Sequence, residues 1–347
     1  MSERSPLSHK YPIIAGYRDR INKWGDVDTI VQFLDAVVDT GSRIDQRLPE
    51  GRNLNIVKDP GGLVAAVQYA NLKTGGKRFD YFNLHTSADW TAVLESLLKS
   101  EERFQIFADN LDRPQQVTSP KRAIALNYIL GKRFGGQEVY GVDAGCSANL
   151  ALPLLGSDFL RSEQVEADLA VDGFQGSTQA VTLGLGIDVN PVDVDWLRAS
   201  DWPLPENMVD TTLEEAITLA ELRNVGQISF AQADLRDHDL IPKVVNQLLP
   251  EVNFVQTSFL LGRLYKPENQ PEQQFCPLVE KLLTDGGIWI NFDTTTAIPS
   301  DVTGQSNYEV RVWEKIGRKL HYLATPFLLT HSQVTISRVF TEEFKKI

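Results

Sequence analysis

Apolar positions recur every three to four residues through the first third of the chain, which predicts helices. The segment Asp26–Ile44 places its apolar side chains on one broad face. A second helix is predicted to follow a cap at Ser87-Ala-Asp89 and to run without interruption to Leu111, and a third is predicted over Thr118–Lys132. Residues 1–135 are therefore predicted to form a helical N-terminal domain. Two roles stay open for it: a lid that covers a pocket, or a bundle that only stabilises the rest of the chain.

From residue 136 onward, short β-like runs alternate with helical segments, a pattern typical of βαβ units in a parallel sheet. Two further β-rich runs near the C-terminus have no helix between them, which predicts an antiparallel hairpin at the sheet edge. The fold class expected for residues 136–347 is α/β, a Rossmann-like doubly wound and mostly parallel sheet. The runs are Val139–Gly145, Val181–Asp188, Gln227–Asp234, Val252–Phe259 and Gly286–Asp293, followed by residues 320–331 and 332–341.

Composition and charge narrow the class of protein. The 347 residues carry a formal net charge of −12, with two cysteines and five histidines. Residues 1–120 are nearly neutral, so the remainder carries almost all of the negative charge, which disfavours a nucleic-acid partner and favours a small-molecule substrate. We expect no disulfide, no metal site, no membrane segment and no secretory signal, and a cytoplasmic location. The oligomeric state is left open.

The residues that follow each predicted strand are candidates for ligand binding, because ligands of open α/β sheets lie at the carboxyl ends of the strands. The first strand leads into Asp143-Ala-Gly145-Cys-Ser147-Ala-Asn149, where Gly145 permits close approach of the backbone to a ligand. A following helix start is expected to offer free N–H groups. Asp143, Gly145, Ser147 and Asn149 are therefore predicted to bind a cofactor.

Acidic residues follow the next two strands. Asp188 is suited to accept hydrogen bonds from two neighbouring hydroxyl groups, or it caps the helix after Pro191. Asp234 is placed to accept an exocyclic amine while Leu235 packs against the ring, or it is an ordinary loop aspartate. Asp188, Asp234 and Leu235 are candidate cofactor-binding residues, and both alternatives stay open.

Further candidates come from later strand ends and from the N-terminal part. Thr257, at the end of the fourth predicted strand, is assigned to the cofactor. Ser258, Tyr265, Asp293 and Tyr17 are predicted to be catalytic, Tyr17 as part of the helical domain. Each of these residues also has a plain packing or surface interpretation.

The order of these motifs, together with a helix that ends in Leu-Leu-Thr-Asp-Gly-Gly, resembles the class I S-adenosylmethionine (SAM)-dependent methyltransferase superfamily over roughly residues 119–300. The resemblance implies that the Gly145 loop holds the methionine part of SAM, that Asp188 holds the ribose, and that Asp234 and Leu235 flank the adenine. Two glycines usual in that loop are replaced, by Ser147 and Asn149. A narrower likeness, in Gly186–Pro203, is to a bacterial methyltransferase-like family of unknown function with a helical N-terminal half.

The leading expectation is a SAM-dependent methyltransferase acting on a small molecule, with the helical domain covering the active site. Transfer from a sulfonium needs alignment more than a strong general base, which suits a chain with few histidines. A second possibility is an enzyme that consumes SAM by cyclisation or elimination and releases methylthioadenosine. A third is a non-catalytic binding protein on the same fold. A nicotinamide dehydrogenase fits the loop and its spacing poorly.

Overall fold

The computed structural model separates the chain into two compact units. One comprises Met1–Thr118 and Asp193–Asp210, and the other comprises Ser119–Val192 and Thr211–Ile347. We call them the helical unit and the sheet unit. The structure describes residues 14, 28–57, 60–79, 84, 86–113, 122–157, 160, 179–200, 211–223, 227–258, 260–266, 270–294, 307–330 and 336–347.

The helical unit packs amphipathic helices around one apolar core, as the periodicity predicted. Its large buried side chains include Phe33, Trp90 and Phe107, and the edge of Phe33 meets the face of Trp90 with ring centroids 5.0 Å apart. Its described helices are α1 (Asp28–Arg47), α2 (Pro60–Lys73), α3 (Ser87–Lys99), α4 (Glu101–Asp109) and, from the second segment, α7 (Val194–Ser200), with a 3₁₀ turn at Leu54–Ile56.

Local capping explains where α3 and α4 begin. The Thr86 side chain and Asp89 form a reciprocal capping box. Thr86 is therefore the N-cap, and Ser87, which the sequence analysis placed at the cap, is the first residue of the helix. The expected single long helix is interrupted at Ser100, whose backbone is extended and whose hydroxyl accepts a hydrogen bond from the Arg103 amide. Ser100 thus ends one helix and caps the next.

The sheet unit contains an eight-stranded sheet in the order β3-β2-β1-β4-β5-β6-β7-β8. The first five strands are parallel and follow the order of the doubly wound dinucleotide-binding fold, so the predicted fold class is confirmed. The strand order reverses between β1 and β4, which makes their carboxyl ends the expected ligand position. The strands are β1 (Tyr140–Ala144), β2 (Leu183–Asp188), β3 (Ile228–Gln232), β4 (Phe254–Ser258), β5 (Ile288–Thr294), β6 (Asn307–Ile316), β7 (Lys319–Thr330) and β8 (Ile336–Val339).

Helices complete the sheet unit. One apolar cluster joins a face of the sheet, including Val142, Leu185 and Trp289, to buried residues of α9 and α11 such as Val245 and Phe275. Burial of this face holds the five parallel strands in one register. The helices are α5 (Arg122–Phe134), α6 (Ala151–Leu154), α8 (Thr211–Arg223), α9 (Leu240–Leu248), α10 (Leu261–Leu264), α11 (Pro271–Leu282) and α12 (Thr341–Lys345).

The C-terminal edge differs in detail from the prediction. Three antiparallel strands extend the sheet, and the tight hairpin joins β6 to β7 rather than residues 320–331 to 332–341. Gly317 in this hairpin has φ +62°, a conformation that glycine adopts without steric cost. The sequence analysis overlooked β6, although Tyr308, Val310 and Val312 alternate with Glu309 and Arg311 as in a strand with one buried face.

The division into units also differs from the predicted boundary after residue 135. Helix α5 groups with the sheet unit, and Asp193–Asp210 groups with the helical unit although it follows β2 in sequence. The physical reason for the second difference is Trp196, which is fully buried in the helical core and contacts Tyr69 edge to face. Among the described helices, none is long and apolar enough to cross a membrane.

Candidate functional site

The loop after β1 adopts a left-handed backbone at three alternate residues. Gly145, Ser147 and Asn149 have φ values of +77°, +54° and +53°. Such φ values suit glycine, and a non-glycine residue there costs about 1–2 kcal/mol, although asparagine tolerates them better than most. Ser147 and Asn149 therefore adopt a backbone conformation that glycine favours, although both carry side chains.

The amide groups of this loop are used within the protein. The amides of Gly145 and Cys146 both donate to the Ile187 carbonyl, at 2.8 and 3.2 Å, and the Asn149 amide donates to the Cys146 carbonyl at 2.8 Å. The Ser147 amide donates to Oδ2 of Asp188 at 3.0 Å. The expected row of free N–H groups is thus not available at these four positions, and α6 that follows is only four residues long.

The close approach predicted at Gly145 is taken by a side chain of the protein. A Cβ atom on Gly145 would lie 2.8 Å from Cδ1 of Leu260, which packs against the glycine from the segment after β4. A ligand can reach the Gly145 backbone from this side only if the Leu260 side chain changes rotamer. Leucine side chains have such rotamers available at modest cost.

Asp188 joins the ends of β1 and β2. Its carboxylate accepts the Ser147 amide at Oδ2 and the Asn190 amide at Oδ1, each at 3.0 Å. The alternative role as helix cap is wrong, because α7 begins at Val194 and it is Asp193 that accepts the Trp196 amide, at 3.0 Å. Each Asp188 oxygen retains a second lone pair, so the carboxylate can still accept a bond from a ligand hydroxyl.

Asp234 forms an ion pair with its neighbour. Nε of Arg236 donates to both carboxylate oxygens, at 2.9 and 3.1 Å, and Nη2 donates to Oδ2 at 2.5 Å. These bonds lower the pKa of Asp234 to about 2. Leu235 is buried in the core between the sheet and its helices. Asp234 is therefore partly exposed beside the buried Leu235, and its carboxylate is paired with Arg236.

A row of buried polar side chains crosses the sheet at the predicted ligand position. Asp143, Gly186 and Gln256 are neighbours in register on β1, β2 and β4. Nε2 of Gln256 donates to Oδ1 of Asp143 at 3.3 Å. Gly186 lacks a side chain at the place where the Asn149 amide lies, since a Cβ there would meet Oδ1 of Asn149 at 2.4 Å. Asn149, Asp143 and Gln256 thus form one row, which we call the polar row, and each is less than 5% exposed.

The polar row has hydrogen-bond acceptors in excess. Among the described residues, three buried side-chain oxygens have no hydrogen-bond partner: Oδ1 of Asn149, Oε1 of Gln256 and Oγ of Ser258, the last residue of β4. A buried polar atom without a partner costs about 1–3 kcal/mol, so three beside one another are informative. The sequence pointed to Asn149 and Ser258, whereas Gln256 is recognised only from the strand pairing.

The potential at this loop is negative. Burial, followed by the charges of Asp143 and Asp188, raises the pKa of the Cys146 thiol well above its usual range. The two carboxylates therefore act together on one side chain between them. An acceptor-rich and negative environment favours a ligand group that carries N–H donors and positive charge.

Thr257 does not belong to the polar row. Its hydroxyl donates to Oδ1 of Asn291 at 2.8 Å and accepts a bond from Nε1 of Trp289 at 3.0 Å. Because adjacent residues of a strand face opposite sides, Thr257 lies on the face that packs on α9 and α11. Thr257 is fully buried, and it connects β4 to β5.

Acidic residues surround one arginine near the end of β5. Asp293 is half-buried and lies opposite Glu309 of β6. Arg311 donates from Nη2 to Glu309 at 2.9 Å and from Nη1 to Glu272 of α11 at 2.8 Å, and it thereby offsets the negative charges of these two glutamates. Arg311 and Glu309 escaped the sequence analysis because strand β6 did.

Tyr265 is paired with a histidine. Nε2 of His238 lies 3.2 Å from the Tyr265 hydroxyl. Burial raises the pKa of Tyr265, and burial together with the charge of Lys281 lowers the pKa of His238. Both groups are therefore neutral at pH 7, and which of them donates the hydrogen bond depends on the tautomer of the imidazole. Tyr17, the fourth predicted catalytic residue, lies outside the described residues.

Several solved structures resemble the chain. A SAM-dependent methyltransferase from Clostridium acetobutylicum has 10% identity and a TM-score of 0.26, over 62% of this chain and 74% of that one. The rRNA methyltransferase aviRa from Streptomyces viridochromogenes has 13% identity and a TM-score of 0.32, over 64% and 88%. A candidate methyltransferase from Bacillus halodurans has 9% identity and a TM-score of 0.27; the match covers 52% of this chain and about half, 53%, of that protein.

All three TM-scores are below 0.5, and all three identities are below 25%. No protein-family model and no curated protein matches this chain. Within the described ranges, no group of three or more His, Cys, Asp or Glu side chains could hold a metal ion.

Proposed function

We propose that the protein is a SAM-dependent methyltransferase that acts on a small molecule. The observation that supports this most directly is the polar row, where acceptors are buried in excess beside an acidic side chain. SAM carries two positive groups, an ammonium and a sulfonium, and the ammonium brings three N–H donors. Such a ligand offsets the cost of acceptors that otherwise lack partners.

The residues present fit this cofactor in a consistent order. Asp143, Gln256 and Asn149 would hold the ammonium end, and the free lone pairs of Asp188 would take the ribose hydroxyls. Asp234 would accept the adenine amine in exchange for Arg236; this ion pair is exposed, so the exchange costs little. Asp143 lies near the end of β1, Asp188 ends β2 and Asp234 follows β3, in the same order as the ammonium, ribose and adenine parts of the ligand.

When bound, SAM supplies a methyl group that is already activated by its positive sulfur. The protein then has to align the acceptor and exclude water. Ser258 lies at the end of β4 beside the polar row and is our candidate for orienting the acceptor, together with Asp293 and Tyr17. The Tyr265 hydroxyl, paired with His238, is the candidate for a hydrogen bond to the reacting group of the acceptor, which would orient that group for transfer.

The small-molecule substrate is supported by the charge distribution. The sequence carries a net charge of −12, mostly after residue 120, and Asp143, Asp188 and Asp293 of the site are part of that negative charge. A polyanion would meet repulsion there.

Isothermal titration calorimetry with SAM and S-adenosylhomocysteine (SAH) tests the proposal. We expect both to bind, and Asp143→Asn to weaken SAM by about tenfold or more, the scale of a hydrogen bond to a charged group. Asp239→Asn is the matched control, since it removes an acid that is 89% exposed on the same unit. If neither compound binds the wild-type protein, the proposal is wrong.

One observation favours a second candidate, a non-catalytic ligand-binding protein. The loop amides are paired within the chain and Leu260 covers Gly145, as expected if cofactor chemistry had been lost. Mass spectrometry of the protein incubated with SAM and a pool of small metabolites distinguishes the cases. Formation of SAH supports the methyltransferase, and methylthioadenosine formed from SAM alone indicates cyclisation or elimination. Binding without either product favours the non-catalytic protein.

A further inference from the structure

Strand β2 of the sheet unit carries two glycines on one face, Gly184 and Gly186. Both lie inside the strand, and Gly186 is paired with Asp143 of β1 on one side and with Phe230 of β3 on the other. A glycine at such a position weakens a strand, because it loses much conformational freedom on folding and adds no side chain to the packing. A close approach by another group is a common reason for it.

The space above Gly186 holds two side chains of the loop after β1. A Cβ atom on Gly186 would lie 2.4 Å from Oδ1 and 2.6 Å from Cγ of Asn149, and 2.8 Å from Sγ of Cys146. All three distances are too short for a real contact, so an alanine at this position would have to displace both side chains. The atoms concerned are the ends of short side chains, which can rotate without a shift of the strand.

The rest of this loop is fastened to the end of β2. The amides of Gly145 and Cys146 both donate to the Ile187 carbonyl. The side chain of Asn149 then crosses β2, and its Nδ2 donates to the Ser229 carbonyl of β3 at 3.5 Å. A bond of this length is weak. The depth at which the Asn149 amide lies is therefore set mainly by the strand backbone beneath it.

We infer that Gly186 is a positioning residue, which lets the Asn149 amide lie deep enough to bring its Oδ1 into the polar row. This oxygen is buried and has no hydrogen-bond partner among the residues that the structure describes, so its position matters most to a ligand with N–H donors. A methyl group on residue 186 would turn the oxygen out of the row. The effect on SAM binding rests on the proposed function, whereas the position of the two loop side chains does not.

Modification of the Cys146 thiol tests this packing without any ligand. The chain has two cysteines, so Cys276→Ala leaves Cys146 as the only thiol. In the wild-type protein Cys146 is 5% exposed and shares the space above Gly186 with Asn149. We expect Gly186→Ala to increase the rate at which Cys146 reacts with iodoacetamide by about three- to tenfold, because the methyl group displaces the thiol from its buried position.

Gly184→Ala is the matched control. It adds the same methyl group to the same face of the same strand, where the Cβ would meet the side-chain ends of Ile228 and Leu152, at 2.7 and 2.9 Å, instead of Asn149 and Cys146. Both variants should lose a similar free energy of unfolding in urea, and only Gly186→Ala should expose the thiol. Equal rates of modification in the two variants overturn the inference.

Calorimetry with SAM measures the consequence for the proposed site. We expect Gly186→Ala to weaken SAM by about three- to tenfold, and Gly184→Ala to change its affinity by less than about twofold. Asn149→Gly supplies the second background, since glycine suits the φ of +53° at this position. There Gly186→Ala should cost no further affinity, because the amide that it displaces is absent. The same loss of affinity in both backgrounds overturns the inference.

The two proposals can fail separately. If the wild-type protein binds neither SAM nor SAH, the proposed function is wrong, and faster modification of Cys146 in Gly186→Ala than in Gly184→Ala still supports the positioning role. If Gly186→Ala does not fold, the double variant Asn149→Gly/Gly186→Ala should fold, because one of the two displaced side chains is gone. A double variant that also fails to fold overturns the inference, since the strand itself would then reject the methyl group.

Discussion

The two ends of the parallel strands differ in how their side-chain hydrogen-bond acceptors are paired. At the amino ends, Oδ1 of Asn253 accepts the Tyr140 amide at 2.8 Å, and Gln179 uses both its oxygen and its nitrogen on neighbouring backbone groups. At the carboxyl ends, the side-chain oxygens of Asn149 and Gln256 are buried without partners among the described residues. The acceptors of Asn253 and Gln179 are thus paired, whereas those of Asn149 and Gln256 are not; of Asn127, whose Oδ1 accepts the Gln179 amide, only the donor Nδ2 lacks a partner in the described part of the chain.

This contrast separates residues that stabilise the fold from residues that await a ligand. A polar group kept for stability is paired, because burial without a partner opposes folding. A group kept for binding is paired only when its ligand is present. Substitutions at the two ends should therefore differ in kind: those at the amino ends change the free energy of unfolding, and those at the carboxyl ends change affinity.

The largest effect is expected from Gly141→Val near the amino end of β1. A Cβ on Gly141 would lie 2.2 Å from Cζ of Phe254, a fully buried side chain of the adjacent strand. Overpacking of this kind costs about 3 kcal/mol. Urea unfolding measures the loss, and Gly136→Val, where nothing lies within 4 Å of the added atom but φ is positive, separates crowding from backbone strain. A loss no larger than that of the control would contradict the expected crowding.

Asn253→Ala should come next. It leaves the Tyr140 amide without its side-chain acceptor, at a cost of about 1–2 kcal/mol in the free energy of unfolding. Glu251→Gln is the control, since Glu251 is only the exposed partner of the same asparagine. Affinity for SAH should not change. A variant that folds normally but loses SAH would break the distinction between the two ends.

Ser258→Ala should behave in the opposite manner. The hydroxyl that it removes has no partner in the described part of the chain, so the free energy of unfolding should change by less than about 0.5 kcal/mol. If this hydroxyl meets a ligand, the affinity or the rate for the acceptor falls about two- to tenfold. Destabilisation as large as that of Asn253→Ala would show that Ser258 is structural.

The smallest effect is the acid dependence of the Asp234–Arg236 pair. The folded pKa of Asp234, about 2, lies below the value of about 3.9 of an unfolded aspartate, so its contribution to stability is complete above pH 4 and disappears as the pH falls through 2. The pair is exposed, which keeps the contribution below about 1 kcal/mol. The free energies of unfolding of the wild type and of Asp234→Asn should therefore differ at pH 5 and become equal near pH 2. A difference that grows on acidification would contradict this assignment.

Particular residues show how far the sequence leads. Asp143, Gly145 and Asp188 were found by position alone, because strands end where apolar runs end and ligands lie at those ends. Gln256 and Thr257 are adjacent in sequence, and their local sequence does not indicate which side chain lies in the polar row. The pairing of β4 with β1 places Gln256 beside Asp143, so Gln256 lies in the row and Thr257 lies on the opposite face of the sheet.

The amino-acid sequence by itself determined the fold class of the sheet and the order of the acids along it, since apolar periodicity and turn residues are local properties. Tertiary structure alone decided that Asp193–Asp210 joins the helical unit, that Asn149 lies in the space left by Gly186, and that Arg236 forms an ion pair with Asp234. These depend on contacts between residues distant in sequence or on side-chain geometry. Periodicity records which face of an element is buried, but not which neighbour buries it.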